Sequence, residues 1–280
     1  MKLLIHGGFF SESSQSNETK IAKQKAMERI VTNCFDYLKT HTALETVVYA
    51  VEQLEDDSLF NAGIGSQIQS DGIIRMSASL MDGDSKKFSG VINIQNVKNP
   101  IRVAENLQVV DDRVLGGEGA NGYASKIGVP EFSTEIPDRR AEYEAKLAAL
   151  GTGTVGCVAL DKNGKLAAAT STGGKGFEIP GRISDSATVA GNYANDDCAV
   201  SCTGVGEDIV SAAVASKIVT RVTDGFSIQS AFEKTFNELS EFDGFAGAIG
   251  LAKDGNMYWQ ESHPKIVFAA FDGEKITVFQ

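Results

Sequence analysis

The stretch GTGTVGC, residues 151–157, sets two threonine hydroxyls among three glycines at the mouth of a strand-like run, CVALDKNGKLAAATST. Strand entrances are better served by bulky β-branched residues, so the glycines ask for a reason. A plain turn is one reading of such a cluster. The other is a nucleophile whose preceding peptide bond is broken. Serine and threonine nucleophiles need a base, and three widely spaced histidines leave little material for a histidine-based triad. A terminal α-amine, with a pKa of about 7.7–8.0, can serve instead. That base exists at Thr154 only once the Gly153–Thr154 bond is cut. Gly153 tolerates strained backbone angles, and the Thr154 hydroxyl can attack the carbonyl that precedes it.

Other clusters supply matching chemistry. STGGKGFEIPGRISDS carries Thr172 beside two glycines, then Arg182 and Asp185 three residues apart. One cation and one anion in a loop can clamp a zwitterion, guanidinium on carboxylate and carboxylate on ammonium; an ordinary surface ion pair has the same spacing. SCTGVGE places Thr203, Gly204 and Gly206 between a strand and a helix, where exposed N–H groups hold an oxyanion or merely cap a turn. LFNAGIG puts the Asn61 amide in a glycine turn. GEGANG, residues 117–122, matches the dinucleotide-binding pattern literally, but the preceding VDDRVLG is short and charged. Its glycines are expected to open a helix packed closely on its neighbours instead.

These residues need a scaffold. Lys2 to His6 reads as a strand ending in a polar loop, GGFFSESSQSNE. Ile21, Met27, Ile30, Val31, Cys34, Phe35 and Leu38 follow helical spacing. Thr42 and Glu45 form a capping box for a second helix with Leu44, Val47, Val48, Val51 and Leu54 on one side. A hairpin is expected from Ile74, Met76, Ala78 and Leu80 into FSGVINIQN, and a clearer one around Asn163–Gly164. Helices are expected from Pro100, from Gly119, over Pro137 to Leu150, from Glu207, and from Ser227 to about Leu239. GAIGLA, KIVFAAF and KITVF close the chain as strands. Without strict strand–helix alternation, antiparallel sheets sandwiched by helices, in one domain, fit better than a doubly wound parallel sheet.

The bulk composition narrows the function. A net charge of −11 without a basic run excludes nucleic acid and anionic membrane surfaces as partners. No apolar run reaches transmembrane length, and MKLLIHGG is too short in apolar residues for a signal peptide. Cys34, Cys157, Cys198 and Cys202 form no CxxC pair and read as reduced thiols of a cytoplasmic protein.

Taken together, LFNAGIGS, MDG, GEGA, GTVGCVALDKNGKLAAATSTGG, PGRISDS, YAN and AVSCTGVGE resemble, in order, the plant-type L-asparaginases, the isoaspartyl peptidase family of N-terminal nucleophile hydrolases. The likeness is close over residues 43–207. It implies an αββα sandwich that cuts itself into an α subunit, 1–153, and a β subunit, 154–280, with Thr154 rather than Thr152 as nucleophile. It further implies that Thr172 supports the nucleophile, that Arg182 and Asp185 hold the α-carboxylate and α-amine, and that Thr203 and Gly204 form the oxyanion site. Gly206 and Asn61 would flank the substrate. A structural sodium would sit on main-chain carbonyls of Leu54, Glu55, Asp57, Phe60, Ala62 and Ile64, with no cofactor needed for catalysis. The implied substrate is asparagine or a β-aspartyl dipeptide, and the implied assembly is a homodimer of αβ units. Gly153, where glycosylasparaginases usually have Asp, favours asparaginase or isoaspartyl peptidase over a glycosylasparaginase-like amidase. An uncleaved homologue that only binds a small amino acid is the reading from another class. The chain departs from the family at HGGFF, where small residues follow HGG, and at Val205, where TGTGE becomes TGVGE.

Overall fold

Two strands buried at every position carry the Thr154 region: β5 (Thr154–Leu160) and β6 (Leu166–Thr172), whose register sets Thr154 opposite Thr172. Their turn is shaped by Asp161, whose carboxylate accepts from the N–H groups of Asn163 (2.8 Å) and Lys165 (3.0 Å), and by Gly164 at φ +74°. The structure is a computed structural model that describes residues 1–10, 16–145, 153–263 and 265–280. Thr152, and the end of the helix expected to reach Leu150, lie outside the described residues.

The chain begins with β1 (Lys2–Phe9), α1 (Asn17–Leu38), α2 (Ala43–Glu55), β2 (Met76–Asp82), β3 (Lys87–Ile94), α3 (Pro100–Asn106), β4 (Val114–Gly116), α4 (Gly117–Lys126) and α5 (Pro137–Glu144). After β5 and β6 come β7 (Asn192–Ala194), β8 (Cys198–Gly204), α6 (Gly206–Ala212), α7 (Val214–Thr223), α8 (Ile228–Ser240), β9 (Ala246–Ala252), β10 (Met257–Glu261), β11 (Ile266–Phe271) and β12 (Ile276–Val278). The strands form an eight-stranded sheet, β12-β11-β1-β5-β6-β2-β3-β4, and a four-stranded sheet, β10-β9-β8-β7. Every pairing is antiparallel except β3 with β4.

Packing follows from the period-two alternation of strands. Cys198, Val200 and Cys202 of β8 join the apolar cluster of α7 and α8, while Ala199 packs with the large sheet. Ser201 and Thr203 share the Ala199 face. On the other side, α1, α2 and α3 cover the large sheet. The Thr42–Glu45 capping box is present at the start of α2. No described helix is long and apolar enough to cross a membrane.

Several expectations need correction. β1 continues through Gly7 and Gly8 to Phe9, because β11 pairs with it across an irregularity between His6 and Phe9. Both phenylalanines are buried, and the Phe9 ring lies tilted against Phe245, centroids 4.7 Å apart, over Gly247, where a Cβ would meet it at 2.8 Å. The helix expected from Glu207 is two, broken at Ala213 (φ +51°), because the Ala215 N–H leaves the helix to bond Ala190 O at 2.8 Å. The glycines of GEGANG do open α4, but nothing lies within 4 Å of a Cβ added at Gly117, Gly119 or Gly122. Close packing is therefore not their reason.

Candidate active site

At the N-terminal end of β5, Thr154 and Thr172 face the layer between the sheets. The Thr172 hydroxyl donates to Gly153 O (3.1 Å), which can only accept, so Thr172 has no proton left for Thr154. The Thr154 hydroxyl is therefore the donor in their 3.3 Å contact. Gly174 N–H also donates to Thr172 Oγ1, at 3.2 Å. A second group holds the same Gly153 carbonyl: Asn61 Nδ2 donates to it at 2.7 Å and to Gly174 O at 2.5 Å. Asn61 Oδ1 accepts from Gln67 N–H at 3.0 Å, which fixes the amide's orientation. Gly153 itself has no room for a side chain, since a Cβ would lie 2.6 Å from Asn61 Cβ.

A narrow cleft is lined by Gly153, Thr154, Thr172, Gly174, Lys175, Arg182, Ser184, Asp185, Gly204 and Gly206. Arg182 does not pair with Asp185. Its Nε and Nη2 donate to the two oxygens of Glu207 at 2.6 and 2.7 Å, which holds Glu207 down to about 2. Asp185 is 2% exposed, its Oδ2 has no partner among the described residues, and burial pushes its carboxyl up to about 7. A Cβ on Gly206 would sit 2.8 Å from Asp185 Oδ1 and 3.1 Å from Arg182 Nη2. Both charges thus converge over a bare backbone, an arrangement suited to an amino acid's two α-groups.

Thr203 lies deeper than expected. It is fully buried, its hydroxyl has no partner among the described residues, and it does not line the cleft, whereas the adjoining Gly204 (φ +144°) does. A buried hydroxyl without a partner costs free energy unless something bonds it during function.

The loop from Leu54 to Ile64 is closed by Ile64 N–H on Glu55 O at 2.7 Å. Gly63, at φ +52°, lies against the Glu55 backbone, where a Cβ would come within 2.4 Å of that carbonyl. The loop's carboxylates are engaged elsewhere: Asp57 with Arg29 (2.8 Å), Asp56 with Lys98 (2.7 Å), and Glu55 with Ser171 Oγ (2.7 Å) and Ile101 N–H (3.2 Å). Main-chain carbonyls at Leu54, Glu55, Asp57, Phe60, Ala62 and Ile64 are the oxygens such a loop can offer a hard cation. Among the described residues no His/Cys/Asp/Glu group is arranged to hold a metal.

Four residues around the site were given no role from the sequence. Ser186 Oγ lies 3.5 Å from Thr154 Oγ1, His6 Nδ1 lies 3.0 Å from Thr154 O, Ser201 bonds His6, and Glu207 bonds Arg182. The signal that could have found them is their place in the quoted motifs: Ser186 in PGRISDS, Ser201 and Glu207 in AVSCTGVGE, and His6 in HGGFF.

The asparaginase family profile matches residues 1–148 and 134–279. An isoaspartyl peptidase/L-asparaginase of Nostoc sp. is 44% identical over 98% of this chain and 93% of its own length. The isoaspartyl peptidase of Escherichia coli is 36% identical over 91% of this chain and 88% of its own. A plant-type L-asparaginase of Pyrobaculum calidifontis is 34% identical, over 91% of each chain. With matches spanning nearly its whole length, and with the threonine pair, Arg182, Asp185 and the glycine loops in one cleft, the chain belongs to the asparaginase family that contains these isoaspartyl peptidases.

Proposed function

We propose that the chain is a self-cleaving amidohydrolase that releases L-aspartate from β-aspartyl peptides and from the side-chain amide of L-asparagine. The observation that carries this reading is the Gly153 carbonyl, held by Asn61 Nδ2 and Thr172 Oγ1 beside the Thr154 hydroxyl. Those two donors can stabilise the negative charge that forms on this oxygen when Thr154 Oγ attacks the carbon. The C–N bond breaks as the amine takes up the proton, leaving an ester. Water then hydrolyses the ester to a Gly153 carboxylate and a free Thr154 amine. The products are 1–153 and 154–280, a divided single domain in the αββα architecture of N-terminal nucleophile hydrolases.

In turnover the Thr154 amine takes the proton of its own hydroxyl as the oxygen attacks the substrate's β-carbonyl. Arg182 holds the α-carboxylate with the N–H groups that Glu207 leaves free, and Asp185 holds the α-ammonium. The oxyanion takes the Gly204 N–H and the unpartnered Thr203 hydroxyl. The proton passes to the departing amine, and water releases aspartate from the acyl-enzyme. Sodium on the carbonyls of the Leu54–Ile64 loop would pin Asn61 without touching substrate, and a homodimer of αβ units completes the proposal.

Purified protein is expected to give two bands on a denaturing gel, the smaller beginning at Thr154, while Thr154→Ala stays whole and inactive. A smaller piece beginning at Thr152 or elsewhere overturns the assignment.

A further inference from the structure

Behind Thr154 runs a polar chain that the reaction above does not use. His6 is fully buried on β1, between β5 and β11. Its Nδ1 lies 3.0 Å from Thr154 O and its Nε2 2.8 Å from Ser201 Oγ on the small sheet. Ser201 Oγ in turn lies 2.7 Å from Thr170 Oγ1 on β6. The direction of every bond follows from the first. A carbonyl only accepts, so Nδ1 carries the proton. Burial depresses the imidazole's basicity to about pH 3, so the ring is neutral and Nε2 is bare. Ser201 must then donate to Nε2 and accept from Thr170. The path crosses Gly156, where a Cβ would lie 2.0 Å from Ser201 Oγ and 2.4 Å from His6 Nε2.

The place of this chain matters because β1 stops following β5 at its first residue. The β1–β5 register ends at Gly7 opposite Val155, and Gly8 turns at φ +86°. Among the described residues Thr154 therefore has a ladder partner on the β6 side only. We propose that His6 is a positioning residue for the nucleophile: its Nδ1–H replaces the missing strand N–H on the Thr154 carbonyl. Once the Gly153–Thr154 bond is cut, Thr154 is a chain terminus, free to rotate about its own ψ unless its carbonyl is held. His6, anchored through Ser201 and Thr170, fixes that angle and so fixes where the amine and hydroxyl point. Misplacing a reacting group by an ångström slows chemistry strongly while leaving substrate binding intact.

This inference rests on Thr154 as the nucleophile, and the two fail separately. If Thr154→Ala remains active, the nucleophile itself is wrong. If Thr154→Ala is silent while His6→Phe turns over at the wild-type rate per cleaved chain, only the positioning role is wrong. The expected result for His6→Phe is a kcat lowered about 10- to 100-fold with KM changed less than about threefold, and for His6→Asn, which keeps a donor, recovery of most of the rate. Equal loss in both variants, or a loss confined to KM, overturns the proposal. Because either variant could fail to fold, the wild-type protein supplies a second measurement. Nitrogen-15 NMR at neutral pH should show His6 with a protonated Nδ1 and a bare Nε2; the opposite tautomer or an imidazolium overturns it.

Discussion

Asp185 is the residue with most at stake in the cleft. Its carboxyl is buried, one oxygen is unbonded, and the nearest guanidinium is committed to Glu207. Desolvation therefore dominates, and the folded pKa of about 7 lies above the ordinary 3.8. The folded state then binds more protons than the unfolded one between these values. By linkage this group's contribution to stability falls as pH rises from about 4 to 7. Asp185→Asn should raise Tm by several degrees at pH 8 and by less at pH 5, as differential scanning calorimetry can read. The same substitution should lower kcat/KM for asparagine about 100-fold or more, because the ammonium loses its partner. In the wild type, kcat/KM should show two protonation steps, one near 7 from Asp185 and one from the Thr154 amine. Asp185→Asn should retain only the second, and an unchanged two-step profile would remove Asp185 from the binding of the ammonium. PGRISDS drew attention to Arg182 and Asp185 because two opposite charges three residues apart suggest a clamp, and the structure brings both to one cleft. Glu207 was not legible, since a glutamate after a glycine loop reads as the first turn of a helix. Still less legible were His6 and Ser201, whose bonds join residues 148 and 195 positions apart.

Elements tell the same story on a larger scale. The β5–β6 hairpin and the capped α2 could be read directly, because local turn chemistry and periodicity agree there with the tertiary environment. The break at Ala213 could not, because alanine favours helix and only the bond from Ala215 to Ala190 O forces the left-handed angle. β10 escaped for a related reason: MYWQE is half-buried throughout and shows no alternation, so only its pairing with β9 marks it as a strand. The glycine that matters most in β5 is Gly156, whose missing side chain lets the two sheets share a polar bond. Gly156→Ala should cost about 2–3 kcal/mol in urea unfolding, as overpacking of a tight interior does. Adding Ser201→Ala should recover part of that loss by removing the nearer obstacle. Strict additivity of the two substitutions would mean that the Cβ and the Ser201 hydroxyl never meet.

For the whole molecule, the sheet order has a bearing on what a cut at Gly153 can do. Reading across β12-β11-β1-β5-β6-β2-β3-β4, strands from the two sides of the bond alternate: two from 154–280, one from 1–153, two from 154–280, three from 1–153. Neither piece owns the large sheet whole, although the small sheet, β10-β9-β8-β7, belongs entirely to 154–280. Separating them would strip β1 from both neighbours and part β6 from β2, exposing strand edges and much of the common core. The cut protein should therefore elute from size-exclusion chromatography where uncut Thr154→Ala does, and the pieces should part only in denaturant. Elution of a free 154–280 fragment under native conditions would contradict the interleaving.

That interleaving also makes the cut a covalent record. Asn61 and Thr172, which both donate to the Gly153 carbonyl, come from opposite sides of the Gly153–Thr154 bond, so on the proposed mechanism that bond would break only once they are in place. A severed chain would then be one that had already folded, and counting severed chains would count folding events. The record is written once: after denaturation, uncut chains refold at a rate independent of concentration, whereas cut ones must first find each other.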